Sequence, residues 1–280
     1  MTKLNFENPL ANVTMFGGGD YPVRLTQLEG LEFVPKSYHT VKYSLCDGVD
    51  TISQVHDVRT ITGNGDIFVT SERQVSELCD VFAEPGTLSV TRGNVTRKIA
   101  YKPGEFEINR KSRHLFVFTF QIICDSPCFE AITRHKASIF ERKNMVFGNV
   151  ELPIVFTERK TRVNHKNKGH KRIEPLITVK FIGDASGLVQ DGFIIKNHTT
   201  GQEIKFLSQV KNFGSVIFDI SQRKVLSESG ENLEKYLAQE TYLSDFWVDA
   251  GQNDLEFINL NTNENVYAEL SYIPLYLGVF

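Results

Sequence analysis

The sequence predicts a mainly β protein in two parts: a β-rich first domain with one packed helix, then a β-sandwich. Three observations point there. The chain holds 25 Val, 20 Ile, 20 Thr, 21 Phe and 9 Tyr against only 9 Ala, so strand formers abound and the best helix former is scarce. Short apolar runs alternate with turn signals along most of its length. Only one segment carries an extended helical stripe. A helical bundle or a doubly wound α/β enzyme would need more Ala. At 280 residues the chain is also longer than the ~250 at which single cores tend to divide.

The N-terminus, MTKLNFENPLANVTMF, has no apolar core of the signal-peptide kind. The longest strongly apolar stretch, Leu115–Ile123, is strand length and far short of the ~20 residues that span a bilayer. The expectation is a soluble protein made in a reducing cytosol. Cys46, Cys79, Cys124 and Cys128 form no CxxC pair and read as free thiols in or near the core. Phe16–Asp20 (FGGGD) is a flexible turn, because it lacks GxGxxG spacing and a strand–helix frame. Residues 48–63 mix Val49, Ile52, Val55, Val58 and Ile61 with polar residues, and Gly63-Asn64-Gly65-Asp66 then reads as a turn. Ile67–Val69 is a strand.

Residues 71–84 form the predicted helix. Ser71 is a candidate N-cap and Gln74 completes a capping box. Val75, Leu78, Cys79 and Phe82 make one apolar stripe, and Pro85-Gly86 ends it. A hairpin follows: Leu88–Arg92 and Val95–Tyr101 flank Gly93-Asn94, a two-residue loop that suits a primed turn. Pro103-Gly104 reads as another turn, with strands at Phe106–Asn109 and Leu115–Ile123. Proline at Cys124-Asp125-Ser126-Pro127 blocks continuation, and the first domain, residues 1–130, closes near Phe129. Residues 131–147 read as a connector into the second domain, residues 148–280. Its strand candidates are Leu152–Phe156, Leu176–Ile182, Gly192–Ile195, Glu203–Leu207, Ser215–Ile220, Asp254–Asn259 and Val266–Tyr272, with a short helix at Glu231–Gln239. That spacing suits a sandwich.

Charge is unevenly spread. Residues 131–172 hold eleven Lys/Arg and three Asp/Glu, a net of +8; residues 173–280 hold seven and fifteen, a net of −8. The basic block peaks at Glu158–Arg172 (ERKTRVNHKNKGHKR). Three readings stand there: a solvated hairpin or loop, docking against an acidic neighbouring surface, or nucleic acid. The run has no aromatic residue on which a base stacks, so nucleic acid is the least favoured.

Catalytic motifs are missing. There is no HExxH, GxSxG or Walker sequence. His165 and His170 lie in a Lys-rich run that repels a cation. His56-Asp57 finds no matching nucleophile motif. The acids of the second half leave open a glycosidase pair, and Tyr242, Phe246 and Trp247 leave open a sugar platform; solvated acids and a tryptophan inside the core are the simpler readings. No metal site, catalytic residue or cofactor is expected.

Several short motifs, in order, then resemble one family. Glu174–Val179 (EPLITV) with Gly183 is followed by Lys196–Gly201 (KNHTTG), Val216–Ile220 (VIFDI), Phe246–Asn253 (FWVDAGQN) and the terminal Tyr272–Val279 (YIPLYLGV). Phe118–Phe129 (FTFQIICDSPCF) precedes them. This chain resembles the phage distal tail proteins (Dit) of siphovirus-type tails. The resemblance implies a ring, usually a hexamer, formed by the first domain at the end of the tail tube. It implies a galectin-like second sandwich that holds baseplate or receptor-binding components. Partners would be further copies of the chain, the tail tube protein and the tail-tip (Tal-like) protein, with a receptor-binding protein beyond, and with neither nucleic acid nor membrane. Such a protein is a non-enzymatic virion component at the tail tip, assembled in the host cytoplasm. Candidate assembly residues are Arg92, Gly93 and Asn94 at the hairpin tip, and Lys166, Lys168, Lys171 and Arg172 in the basic run. The alternative is a two-domain carbohydrate- or cell-wall-binding protein; a hydrolase is the remotest reading.

Overall fold

The computed structural model describes residues 2–15, 23–34, 36–44, 47–69, 72–145, 156–160, 162–184, 189–261 and 264–279. The Phe16–Asp20 turn, Cys46, the Ser71 cap and most of the Leu152–Phe156 strand lie outside them. The chain divides into two compact units, Met1–Ile132 with Leu275–Phe280, and Thr133–Pro274.

The first unit contains β1 (Thr2–Glu7), β2 (Asn12–Met15), β3 (Val23–Glu29), β4 (Lys36–Val41), β5 (Asp50–His56), β6 (Arg59–Phe68), α1 (Glu72–Val81), β7 (Gly86–Arg92), β8 (Val95–Arg110), β9 (Leu115–Cys124) and β10 (Phe129–Ala131). An antiparallel sheet runs β2-β1-β7-β8-β9-β6-β3. Period-2 alternation turns Leu4, Phe6, Leu88, Val90, Ile99, Tyr101, Phe118, Phe120 and Ile122 into one buried face. The helix stripe packs into the same core: Leu78, Val81 and Phe82 are buried and Val75 partly so. Phe82 stacks on Phe106 and Phe120 at centroid distances of 4.8 and 5.0 Å. Asn8 finishes the helix by donating to the carbonyls of Asp80 (2.9 Å) and Val81 (3.1 Å).

Two expected turns are continuous strand. Gly63-Asn64-Gly65-Asp66 lies inside β6, paired residue by residue with Phe120, Thr119, Phe118 and Val117 of β9. Its glycines serve close approach. A Cβ on Gly63 would meet the Phe120 ring at 2.6 Å, and one on Gly65 would meet the Arg24 carbonyl at 2.5 Å. Pro103-Gly104 lies inside the 16-residue β8, at a bulge between Pro103 and Phe106. The bulge accommodates the missing proline N–H where the strand moves from pairing with β7 to pairing with β9.

The second unit contains β11 (His135–Met145), β12 (Phe156–Lys160), β13 (Arg162–Asn167), β14 (Leu176–Asp184), β15 (Val189–Asn197), β16 (Gln202–Phe206), β17 (Ser215–Asp219), β18 (Lys224–Ser227), β19 (Gly251–Asn261) and β20 (Glu264–Tyr272). They form two sheets, β12-β11-β20-β14-β17-β18 and β13-β19-β15-β16. Aromatic contacts join the sheets face to face: Phe193 and Phe206 lie 5.8 and 6.0 Å from Phe218, and Phe140 lies 4.7 Å from Phe257. This is a β-sandwich.

The stretch read as a connector is therefore mostly strand, because β11 pairs with β20 from His135↔Tyr272 onward. The basic run is not a hairpin on itself. β12 pairs with β11 in one sheet and β13 pairs with β19 in the other, so the run is shared between the two layers. The short helix at Glu231–Gln239 reduces to one 3-10 turn, Glu234–Tyr236.

The chain end differs from the expected boundary. β21 (Leu275–Tyr276) pairs with β10 in the first unit's sheet. Buried Arg59 donates to the carbonyls of Gly30, Glu32 (2.8 Å), Pro127 (2.9 Å) and Leu277 (2.5 Å). Arg97 donates to Gly278 and stacks 3.7 Å above the Tyr276 ring. Residues 275–279 thus complete the first core, not the second.

Candidate functional site: assembly surfaces

The most exposed apolar surface lies on a ribbon that stands apart from the main sheet. Strands β4 and β5 pair only with each other among the described residues. Among the described residues, seven of the fifteen exposed large apolar side chains fall between Phe33 and Val58, the others being Tyr38, Tyr43, Val49, Ile52 and Val55. A two-stranded ribbon is at best marginally stable in water without a third surface. His56 and Asp57, considered above as a dyad, end this ribbon. The Nδ1 of His56 lies 3.2 Å from the Val34 carbonyl, and Asp57 accepts a hydrogen bond from Ser37. Nothing there makes a nucleophile–base pair.

Arg92, Gly93 and Asn94 are exposed at the tip of the β7–β8 hairpin. Gly93 alone of the two loop residues has positive φ, +60°, which fits a type II′ turn. The flanking residues alternate into the core through Val90 and Arg97, so the tip projects from a buried pair of central strands. It is a different surface from the β4–β5 ribbon.

The basic run divides by residue. Lys166, Lys168 and Arg172 are exposed and Lys171 is half-buried. Buried Asn167 shapes the turn, donating to the Lys171 carbonyl (3.0 Å) and accepting from the Gly169 N–H (2.9 Å). Arg162 and Asp254 form a forked ion pair. That contact holds the Asp254 carboxyl below its ordinary range. The guanidinium of Arg172 lies 4.7 Å over the Trp247 ring, and Trp247 Nε1 donates to Asp249 at 3.1 Å. Trp247 is half-buried, not a core residue. Phe246 is buried and Tyr242 is exposed, so the three aromatics share no open platform.

His165 is buried. Its Nε2 lies 2.8 Å from the Tyr272 hydroxyl, and its ring centroid lies 5.3 Å from that of His135. Burial, then the neighbouring His135, push its pKa down. Among the described residues no cluster of three metal-binding side chains forms. Hydrogen bonds from Lys205 and Arg162 hold the carboxyls of Glu203 and Asp254 below their ordinary range. Cys79 and Cys124 are free thiols, and Cys124 and Cys128 are buried. Burial lifts Cys124 to about 11, the opposite of a reactive thiolate.

Sequence reasoning missed the β4–β5 ribbon. Its apolar residues are spaced among polar ones as in any half-buried strand, and only their exposure in the structure sets them apart. The clamp of Arg59 and Arg97 on the chain end was equally hidden, since its acceptors are backbone carbonyls.

No family model matches this sequence, and no curated protein sequence does either. Solved structures do match. The SPP1 Dit protein (gp 19.1), a paradigm of the hub adsorption apparatus in phages that infect Gram-positive bacteria, is similar at a TM-score of 0.66 and 10% identity. The match covers 98% of this chain and 99% of that one. A chain of the phage P2 baseplate in its activated conformation with Ca aligns at 0.44 and 11% identity, over 96% and 97%. Along its full described length, this chain has the mainly β, two-part fold of the SPP1 Dit protein.

Proposed function

We propose that this chain is a structural component of a phage tail hub. Its first unit assembles into a closed ring of identical copies, six by analogy with the family it resembles, between the tail tube and the tail tip. Its second unit holds outer baseplate or receptor-binding components, with the tube protein and a Tal-like tip protein as neighbours. The observation that carries this reading is the fold likeness to the SPP1 Dit hub protein over both units, not over one transferable module. The hairpin tip at Arg92, Gly93 and Asn94 and the basic residues Lys166, Lys168, Lys171 and Arg172 are contact points in this reading, between copies and toward an acidic outer partner respectively. A carbohydrate-binding role is less supported, because Arg172 covers the Trp247 face on which a sugar would stack. Mass measurement and negative-stain imaging of the purified chain test the proposal. Particles several times 31.8 kDa with a central opening are expected. A monomer at high concentration and varied salt would overturn the ring.

A further inference from the structure

We infer that the first unit carries an acceptor site for one extended peptide, residues 275–279 of its own chain, and that filling this site makes the first unit competent to assemble. The second half of that statement rests on the ring reading above; the first half does not. The whole second unit, Thr133–Pro274, lies in sequence between the site and the segment that fills it. Each residue of the segment has its own anchor. Leu275 and Tyr276 pair with Glu130 and Phe129 of β10, which pairs in turn with β8. The Tyr276 ring lies under the Arg97 guanidinium. The Leu277 carbonyl accepts from Arg59, and the Gly278 carbonyl from Arg97. The Val279 N–H donates to the Leu31 carbonyl at 3.2 Å, and its side chain, 2% exposed, belongs to the first core. Strand pairing and two arginines thus read the main chain, while burial and a cation–π contact read the side chains, as when a peptide adds to a sheet edge.

Arg59 and Arg97 are themselves buried, at 1% and 7% exposed. Withdrawing the segment takes a carbonyl acceptor from each of these two guanidinium groups at once, and a buried charge that loses its acceptors is costly. The segment gains little from water in return, because Leu275–Phe280 (LYLGVF) has no charged side chain. The filled site and the closed first unit are therefore one state, linked as a ligand is linked to the fold that binds it. This linkage orders events during synthesis. Chains grow at about 5–20 residues per second, so the first unit waits on the order of ten seconds while the second unit is made. Until residues 275–279 arrive it has no finished surface to offer another copy. Only chains made through both units join an assembly.

The test compares the full chain with one that stops after Pro274. In the shortened chain, amides of β14 and β19 should keep their protection from hydrogen exchange, those of β6 and β9 should lose about 100-fold or more, and no assembly should form. A synthetic peptide of residues 272–280, with added N-terminal lysines for solubility, should bind saturably and restore protection of β6 and β9, and assembly should follow. The same peptide with Val279→Asp should do neither. A full-length chain carrying Val279→Asp should expose β6 and β9 in the same way, which removes shortening itself as the cause. Protected β6 and β9 in the shortened chain, rescue by the Val279→Asp peptide as good as by the native one, or no rescue by the native peptide each overturns the acceptor site. Assembly of the shortened chain without peptide overturns the control of assembly. A full-length chain that stays monomeric while the peptide restores the first unit overturns the ring reading and leaves the acceptor site standing.

Discussion

Replacing Arg59 should damage the first unit more than any surface substitution, through carbonyl groups far apart in sequence. Its guanidinium serves Gly30, Glu32, Pro127 and Leu277, and lies 4.6 Å over the Phe129 ring. There is no carboxylate among these partners. Burial pulls the Arg59 pKa down, so the charge is held at a desolvation cost that the carbonyl dipoles offset. Arg59→Met keeps much of the volume and removes every donor. A buried acceptor left without a partner costs about 1–3 kcal/mol. If water rescues two of the four acceptors, the other two at about 2 kcal/mol each leave a loss of about 4 kcal/mol. Arg59→Lys keeps the charge and reaches fewer acceptors, so about half that loss is expected. Because the chain has two units, one global unfolding energy is not well defined. Native-state hydrogen exchange is the better assay. Amides of β6, β9 and residues 275–279 should exchange about 10³-fold faster in Arg59→Met, and amides of β14 and β19 should not change. A loss below about 1 kcal/mol in the first unit would refute the clamp. Equal acceleration in both units would show that the effect is not local.

Three further outcomes are expected. Phe82→Ala should cost about 3–5 kcal/mol in the first unit by the same exchange assay, since that ring stacks on Phe106 and Phe120 in the core. His165 has a folded-state pKa below its ordinary value of 6.5, so the unfolded chain takes up the proton first; the second unit should keep full stability above about pH 6.5 and lose it as pH falls toward the folded value, a slope that His165→Gln should flatten in urea titrations at pH 7.5 and 5. Changing Lys166, Lys168, Lys171 and Arg172 to Gln should weaken capture of an acidic outer component at low salt and matter little at 1 M, where the Debye length is about 3 Å. In that variant the single tryptophan should report the loss of Arg172 through its fluorescence.

What the sequence disclosed, and what it hid, divides along local and non-local physics. The helix was legible because Val75, Leu78 and Phe82 repeat at helical spacing, and that stripe packs into the core. Strands β14, β15, β16, β17, β19 and β20 of the second unit were legible because their apolar residues recur between turns, as at Gly201 with φ +75°, whereas β11, β13 and β18 were not. Glycine and proline misled wherever a neighbouring strand, not a bend, required them. Gly63 and Gly65 make room for Phe120 and Arg24, and Gly104 for the Gln121 carbonyl. None of these partners lies within ten residues of its glycine, so no local window contains the cause. The basic run misled for a related reason. Its charges face outward on β13 while His165 and Asn167 alternate inward, and a count of charges outweighs two buried polar residues. The assembly surfaces lie at the far end of the same scale. An exposed Ile52 and a buried Ile61 look alike in sequence; what separates them is that β6 has β3 and β9 on its two sides while, among the described residues, β5 has only β4.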